Sequence, residues 1–403
     1  MISVREALGR ILAGLPAMPV ETVSLAQARG RVLAEDVVAR VTQPPADVSA
    51  MDGYAVRAAD VARVPATLRR VGEAQAGGAF AGEIGPGETV RIFTGAPLPA
   101  GADSIVIQED TAAKGKDDGS VVVLESAPRG RYVRPAGLDF TAGAVGLAAG
   151  QVLGAREIGL AAAMNVPWLA VRRRPRVALL ATGDEIVRPG EPLGPHQIVS
   201  SNALALAALV ETAGGEAIDL GIARDNAASL RAHAAGAAGA DLLVTLGGAS
   251  VGEHDLIRDV LGPEGLELDF WQIAMRPGKP LMFGRFGCAA MLGLPGNPVS
   301  SLVCGLIFLR PALRRMLGLD PDEGLRRRAR LGRDLGPNDR REDYLRSSLA
   351  RDADGGPIAT PFEKQDSSML SHLARAGCLA IRPPDAPAAR AGEPIEIIPL
   401  DNV

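Results

Sequence analysis

Three loops rich in glycine and proline lie close together in the chain, and each borders an apolar run typical of a strand. They cover Thr245–Asp255, Met275–Pro280 and Gly293–Ser300. The first follows the buried-strand pattern Asp241–Leu246 and precedes a run whose apolar positions recur at helical spacing. A glycine turn between a strand and a helix directs unpaired backbone N–H groups at a phosphate or oxyanion. The loops therefore predict an anion site, although glycine after a strand also serves simply as a tight turn.

Lys279, within the second loop, strengthens this interpretation because lysine is rare here. Of the 43 lysines and arginines, only Lys114, Lys116, Lys279 and Lys364 are lysines. A lysine ammonium is a compact point charge that can approach an oxyanion where the broad guanidinium fork would not fit. We therefore expect Lys279 to stabilise an oxyanion from an exposed loop, with Arg276 beside it.

Further motifs place acids and hydroxyls at turns after strand-like runs. Asp52 lies in Ser49–Arg57, Thr94 in Arg91–Pro99 and Asp139 at the end of Val133–Asp139, whereas Thr182 and Glu185 end the run that starts at Leu179. Open α/β folds bind ligands where their parallel strands end. Such carboxylates can bind Mg²⁺ or accept hydrogen bonds from a heterocycle. Structural capping of a turn stays an alternative for each acid separately.

Composition favours a small ligand over a macromolecular one. The 403 residues are 47% hydrophobic and 3% aromatic, with a net charge of -4. A chain with no basic field is not expected to bind nucleic acid or an anionic membrane. Met1–Leu8 resembles an amphipathic helix rather than a signal peptide, and no apolar run approaches the length of a membrane span. We therefore expect a cytoplasmic protein.

The cysteines and histidines offer no transition-metal site. Cys288, Cys304 and Cys378 are odd in number, lack Cys-x-x-Cys spacing and lie in apolar surroundings, which predicts buried reduced thiols. The histidines, His196, His233, His254 and His372, are scattered. No cluster of the two residue types argues for zinc or iron. We interpret His254, beside the first glycine loop, as a polar rim residue.

The pattern along the chain predicts an α/β multidomain protein. Residues 1–44 combine helix and strand signals, 45–139 are β-rich, and 140–170 return to an alanine-rich helix. Strands then alternate with helices over 176–320, which predicts a mostly parallel sheet. Residues 321–403 read as a small terminal β domain. The arginine run at 326–330 is interpreted as a solvated strand or linker face.

Taken in order, these motifs closely resemble the MoeA family of molybdopterin molybdenumtransferases, which includes the E domain of gephyrin. The segments that carry the resemblance span almost the whole chain: Ser49–Ala55, Thr94–Pro97, Val133–Gly137, Thr182–Glu185, Gly247–Gly252, Pro277–Pro280 and Leu294–Ser300. Each is moderately informative alone, and the ordered set is highly specific.

The resemblance implies insertion of molybdate into adenylylated molybdopterin, with release of AMP and molybdenum left on the dithiolene. It implies Mg²⁺ dependence and an elongated homodimer. The subunit would have four parts: 1–44 with 140–175, 45–139, a third part (176–320) that shares the fold of the preceding MogA-type adenylyltransferase, and a C-terminal β-barrel. The resemblance also suggests two kinds of protein partner: the MogA-type adenylyltransferase and molybdoenzyme chaperones.

The resemblance assigns roles to individual residues. The catalytic residues would be Lys279, Arg276, Asp52 and Glu185. The metal would be held by Glu185, Asp225 and Asp255. The substrate would be bound by Thr94, Asp139, Thr182, Asp225, Gly247, Gly248, Ser250, Pro295, Gly296, Asn297, Ser300 and Ser367. The run Gln365–Ser371 also permits Ser368 or Ser371 in place of Ser367. Relatives often carry a second lysine where this chain has Arg276, so the resemblance does not fix how molybdate would be held there.

Three other functions stay open. The region 177–319 alone would suit a molybdopterin adenylyltransferase, but the extra N-terminal modules and the terminal β domain argue against it. A gephyrin-like scaffold without catalysis would need none of Lys279, Glu185 and Asp255. A generic nucleotide or sugar-phosphate enzyme would explain the glycine loops but not the ordered acidic motifs.

Overall fold

A computed structural model of the chain describes residues 1–113, 119–247 and 256–401. They form two compact units. The first comprises Met1–Glu21, Gly30–Val32 and the chain from Val171 onward, and the second comprises Thr22–Arg29 and Leu33–Ala170. Within the described ranges, every helix is too short or too polar to cross a membrane.

A six-stranded sheet forms the centre of the first unit. In spatial order its strands are Glu216–Ala223, Arg176–Thr182, Leu242–Leu246, Ala289–Leu294, Pro280–Phe286 and Leu266–Gln272. The first four run parallel, and only Pro280–Phe286 is antiparallel to its neighbours. The predicted mostly parallel sheet is confirmed. The exception arises because Pro280–Phe286 and Ala289–Leu294 form a hairpin.

Both faces of this sheet are covered, which explains the continuous apolar runs in its central strands. Val177 and Leu179 pack into a large core on one face, whereas Ala178 and Leu180 pack into a second core on the other. The α-helices of this unit are Val4–Ala13, Asn202–Thr212, Ala227–Ala234, Leu256–Leu261, Pro298–Cys304, Arg310–Met316 and Leu370–Arg375, with a π-helical turn at Gly305–Leu309 and a 3₁₀ turn at Ala235–Ala237. Ile186–Val187 and Ile198–Val199 add a short parallel ribbon.

The C-terminal strands close into a barrel. They are Arg327–Leu331, Glu342–Arg351, Pro357–Pro361, Cys378–Arg382 and Pro394–Pro399. The ring closes because Glu342–Arg351 pairs with both Pro357–Pro361 and Cys378–Arg382. Met275–Arg276 joins the barrel as a sixth, parallel strand. The predicted C-terminal barrel is confirmed, and Arg327, Arg328 and Arg330 are exposed, as expected of a solvated arginine run.

The second unit is rich in short strands, as predicted for 45–139. Its six-stranded sheet consists, in spatial order, of Ser104–Ile107, Gly53–Val56, Glu88–Ile92, Ala66–Ala74, Ser120–Val123 and Thr111–Ala113. Two small antiparallel pairs join Val48–Ser49 to Val133–Arg134 and Val37–Val38 to Val145–Leu147. The 3₁₀ turns of this unit are Leu25–Gln27, Ala58–Val61 and Gln108–Asp110. The strands Val20–Ser24 and Trp168–Arg172 each begin in one unit and end in the other.

Two sequence-based expectations are wrong. The alanine-rich helix expected over 140–170 is confined to Ala155–Ala163, preceded by the strand Val145–Leu147. Glycines at 143, 146, 150 and 154 interrupt the stretch, and glycine is a poor helix former. Cys288 is exposed, because it lies in the hairpin turn before Ala289–Leu294, whereas Cys304 and Cys378 are buried as expected.

Candidate functional site

A cavity of about 1050 Å³ opens in the first unit where the parallel strands of the central sheet end. The predicted site residues that line it are Thr182, Glu185, Asp225, Gly247, Pro295, Gly296 and Asn297. They come from the carboxyl ends of four neighbouring parallel strands and from the loops that follow them. Loops at the carboxyl ends of parallel strands converge on one edge of a sheet, where α/β folds bind ligands. This cleft is the candidate functional site.

The first glycine loop packs closely against Thr182 where the chain leaves the central sheet. The Thr182 hydroxyl donates to the carbonyl of Leu246 at 3.5 Å, and Thr182 is only 5% exposed. Gly247 has a φ of +92°, and a Cβ there would lie 3.0 Å from the Thr182 carbonyl oxygen. The left-handed turn therefore requires glycine at this position. The predicted site residues Gly248, Ser250 and Asp255, as well as His254, lie outside the described residues.

Two exposed carboxylates, Glu185 and Asp225, face the same cleft. The Asp225 carboxylate accepts the backbone N–H of Asp184 at 3.2 Å. The Glu185 carboxylate folds back over Gly183, where a Cβ would lie 2.4 Å from Glu185 Oε2. Neither makes an ion pair in the part of the chain that the structure describes. Both are therefore available to a cation or to donor groups of a ligand.

The third loop fixes Asn297 and Ser367 side by side. Asn297 Nδ2 donates to the Ser367 hydroxyl at 3.0 Å, and Val299 N donates to the Ser367 carbonyl at 3.2 Å. Ser300, in the first turn of the helix Pro298–Cys304, is 5% exposed and does not line the cleft. Ser368 does line it, and its hydroxyl donates to Asp366 at 2.7 Å.

Part of the cleft wall was not anticipated from the sequence. Ile198–Asn202 lines the cavity, and Asn202 Nδ2 donates to the Gly296 carbonyl at 2.6 Å. The signal for it was a serine and an asparagine before an apolar helical run, a pattern typical of a helix start. Ile198 is 62% exposed. The Ile198 backbone N–H donates to the Glu185 carbonyl at 2.7 Å, so this partly apolar wall adjoins the loop that carries Glu185.

The second loop places its two cations in different surroundings. Lys279 is half-buried rather than exposed as expected, and in the described structure its ammonium has no ion-pair or hydrogen-bond partner. It precedes Pro280, which lines the cleft. Arg276 forms an ion pair with Asp343 and another with Asp339 at 3.3 Å. The sequence predicted that both cations bind the oxyanion, but the described residues pair Arg276, and not Lys279, with carboxylates.

In the second unit the structure brings Asp52 and Thr94 together. The Thr94 backbone N–H and hydroxyl donate to Asp52 Oδ1 at 2.7 and 2.8 Å. These two bonds, with a smaller contribution from Arg91, lower the pKa of the Asp52 carboxyl. Asp139 is exposed and lines a separate cavity of about 760 Å³, together with Gly95 and Arg134. This unit therefore offers an exposed carboxylate held in its charged form.

The donors in the first unit suit a hard cation. Carboxylate oxygens and water are the ligands that Mg²⁺ prefers in proteins. Glu185 and Asp225 supply two such groups at one cleft. Among the described residues, no group of three or more histidine, cysteine, aspartate or glutamate side chains could hold a metal ion. Glu185 and Asp225 are therefore the carboxylate ligands that the described lining of this cleft offers to a hard cation.

Comparisons with known proteins cover nearly the whole chain. Family models match for the MoeA N-terminal region (domain I and II) over residues 2–165, a probable molybdopterin binding domain over 178–315 and the MoeA C-terminal region (domain IV) over 328–400. The molybdopterin molybdenumtransferase of Nostoc sp. is 37% identical over 417 residues, which cover 99% of this chain and 94% of the relative. That of Haemophilus influenzae is 33% identical and covers 100% of both chains.

A solved structure has the same architecture. The molybdopterin biosynthesis MoeA protein from Pyrococcus horikosii superposes with a TM-score of 0.85 at 31% sequence identity, and the match covers 99% of each chain. Similarity in sequence and in fold therefore extends through both compact units and the barrel.

Proposed function

The chain belongs to the molybdopterin molybdenumtransferase family, and we propose that it inserts molybdate into adenylylated molybdopterin with release of AMP. It is accordingly a transferase of molybdenum cofactor biosynthesis. The observation that carries the proposal is the 1050 Å³ cleft. There a glycine turn, Asn297 and two carboxylates that make no ion pair with any described residue meet at the ends of parallel strands. This is the site of the α/β unit that a probable molybdopterin binding domain matches.

The chemistry of the substrates agrees with these groups. Molybdate is a tetrahedral dianion, so its capture needs cations, hydroxyls and N–H donors held in place. Exchange of its oxygens for thiolates needs positioning more than a strong base. We assign the cation to Lys279. The pterin side of the cleft would be shaped by Thr182, Gly247, Pro295, Gly296 and Asn297. A hydroxyl for the substrate would come from Ser367 or Ser368. Ser300 would act indirectly, through the packing of its helix.

We propose that Glu185 and Asp225 hold Mg²⁺, together with Asp255 beyond the described residues. When bound, Mg²⁺ supplies a Lewis acid that neutralises phosphate charge. The protein's own contribution is to present two carboxylates that are free of ion pairs within the described ranges, and to orient Asp225 through the backbone N–H of Asp184.

This assignment predicts that activity depends on a hard divalent cation. EDTA should abolish turnover and added Mg²⁺ should restore it, because oxygen ligands bind such ions reversibly. The measurement is AMP release before chelation, after chelation and after repletion. Asp225→Asn should raise the Mg²⁺ concentration needed for half-maximal activity, whereas the surface variant Asp334→Asn should leave it unchanged. Full activity in excess chelator, or stoichiometric tightly bound zinc, would refute the assignment.

Assembly is a further proposal, which rests on the family. We propose a homodimer in which Asp52 of the partner subunit, with its Thr94 and Asp139, completes each cleft. The charged state of Asp52 and its two bonds from Thr94 support a binding role for this carboxylate. The adenylyltransferase that makes the substrate and the chaperones that receive the product would be its protein partners.

The test is direct. Purified protein is supplied with adenylylated molybdopterin, Mg²⁺ and molybdate, and AMP is measured by chromatography. AMP release should require both molybdate and Mg²⁺. Release that is unaffected when molybdate is omitted would instead indicate simple hydrolysis. A parallel assay supplies ATP and molybdopterin instead, and consumption of ATP there would indicate the adenylyltransferase. A protein that is inert in both assays would favour a scaffold.

A further inference from the structure

The loop that carries Lys279 connects the two sheets of the first unit. Met275–Arg276 pairs with the barrel strand Glu342–Arg351, whereas Pro280–Phe286 belongs to the central sheet. Only Pro277, Gly278 and Lys279 lie between them. The position of Lys279 therefore depends on how firmly the barrel holds the first of these strands.

Arg276 attaches this strand to the barrel through its side chain as well as its backbone. It lies directly opposite Asp343 in the parallel pairing, and the two side chains form an ion pair. Asp339 adds a second carboxylate at 3.3 Å, and Asn338 accepts a bond at 3.4 Å. A molybdate dianion approaching Arg276 would have to compete with two carboxylates already in contact with it.

Asp343 depends on this pairing in turn. It is 4% exposed, and its second oxygen, Oδ1, has no hydrogen-bond partner within the described residues. Burial raises the pKa of its carboxyl, and the Arg276 guanidinium opposes that rise. Asp343 is the buried member of the pair, whereas the Arg276 side chain is 48% exposed. Removing Arg276 would therefore leave a buried carboxylate without its compensating charge, so the structure around it must rearrange.

The segment between Arg276 and Lys279 has little room to absorb such a rearrangement. Gly278 has a φ of +111°, and a Cβ there would lie 2.5 Å from Cys304 Sγ and 3.2 Å from Met275 Sδ. The Lys279 carbonyl accepts the backbone N–H of Ile273 at 3.1 Å. A displacement of Arg276 would therefore also move Lys279, because the segment between them cannot absorb it.

We propose that Arg276 and Asp343 are positioning residues: their ion pair fixes the loop that presents Lys279, and Arg276 is not itself an oxyanion ligand. The inference rests on the proposed function, because it concerns how the barrel contributes to the molybdate site. It adds to the site a carboxylate, Asp343, that lies outside the cleft.

Arg276 could bind the dianion directly or position Lys279, and these two roles predict opposite effects of the Asp343→Asn substitution on turnover. If Arg276 bound the dianion directly, Asp343→Asn would free the guanidinium and leave activity equal or higher, whereas Arg276→Gln would lower it. If the Arg276–Asp343 ion pair positions Lys279, then Asp343→Asn and Arg276→Gln both loosen the loop that presents Lys279. We expect each to lower turnover about tenfold, within the range for small displacements of a catalytic group. The double variant should stay within about threefold of either single, since the two residues then act as one unit.

The controls separate positioning from general damage. Arg330→Gln removes another barrel arginine that lies 3.8 Å from an aspartate, Asp352, and should not change turnover. Arg276→Lys keeps a cation for Asp343 and should recover at least half of the activity lost in Arg276→Gln. Melting temperatures identify any variant that is partly unfolded at the assay temperature.

A spectroscopic readout keeps the test independent of turnover. Reductive ¹³C-methylation labels the few lysines, and Lys279→Ala assigns the Lys279 resonance. We expect Arg276→Gln to move that resonance before molybdate is added. An unmoved resonance combined with loss of the molybdate-induced shift would make Arg276 a ligand and overturn the inference, even if Asp343→Asn failed to fold. A wild-type protein that releases no AMP would refute the proposed function, whereas the resonance would still decide the positioning role.

Discussion

Replacing Lys279 with alanine should remove most turnover and leave the fold intact. Its ammonium has no ion-pair or hydrogen-bond partner in the described structure, so its loss breaks no internal bond. Losing a fixed cation from a dianion site costs roughly 2–4 kcal/mol of transition-state stabilisation, or about 30- to 1000-fold in rate. The measurement is molybdate-dependent AMP release, with circular dichroism to check folding.

Two variants serve as controls for this prediction. Lys364→Ala removes another lysine, which is exposed in the C-terminal region, and should retain wild-type activity. Lys279→Arg should recover only part of the activity, because the guanidinium is wider and planar. Near-normal AMP release by Lys279→Ala would show that this lysine is not the oxyanion cation.

The second large effect concerns the shared cleft. If Asp52 of one subunit serves the cleft that contains Lys279 of the other, inactive Asp52→Ala and Lys279→Ala chains should regain activity when mixed. Each heterodimer then has one cleft with both defects and one with neither. Random re-pairing makes about half of the dimers mixed, so activity should approach about a quarter of wild type, given two-fold isologous assembly.

The experiment uses chains with different affinity tags, so that heterodimers can be isolated and quantified by successive purification on both tags, and light scattering confirms that they are dimers. Each variant re-equilibrated alone gives the background. Confirmed heterodimers without recovered activity would place Asp52 in its own subunit's site, and chains that stay monomeric would contradict the dimer itself.

The sheet and the cleft were predictable because their signals are local. Apolar runs followed by glycine loops identified the parallel strands, and the carboxyl ends of such strands converge by geometry alone. That is why Thr182, Glu185, Asp225, Gly247 and Asn297 line one cavity.

The features that were missed depend on distant parts of the chain or on turns. Arg276 meets Asp339 and Asp343 only because the barrel strands pair in a particular register, which no local pattern encodes. Cys288 has apolar neighbours in sequence but lies in a hairpin turn, and so it reaches solvent. Composition predicted a helix before Gly154, where repeated glycines favour turns instead.

The most direct test of the proposed function follows the metal itself. The protein is incubated with adenylylated molybdopterin, Mg²⁺ and isotopically enriched molybdate, and the released pterin is analysed by mass spectrometry. We expect a product that carries the enriched molybdenum on its dithiolene, in amounts equal to the AMP formed and absent with Lys279→Ala. AMP formed alongside a pterin that contains no molybdenum would contradict the assignment.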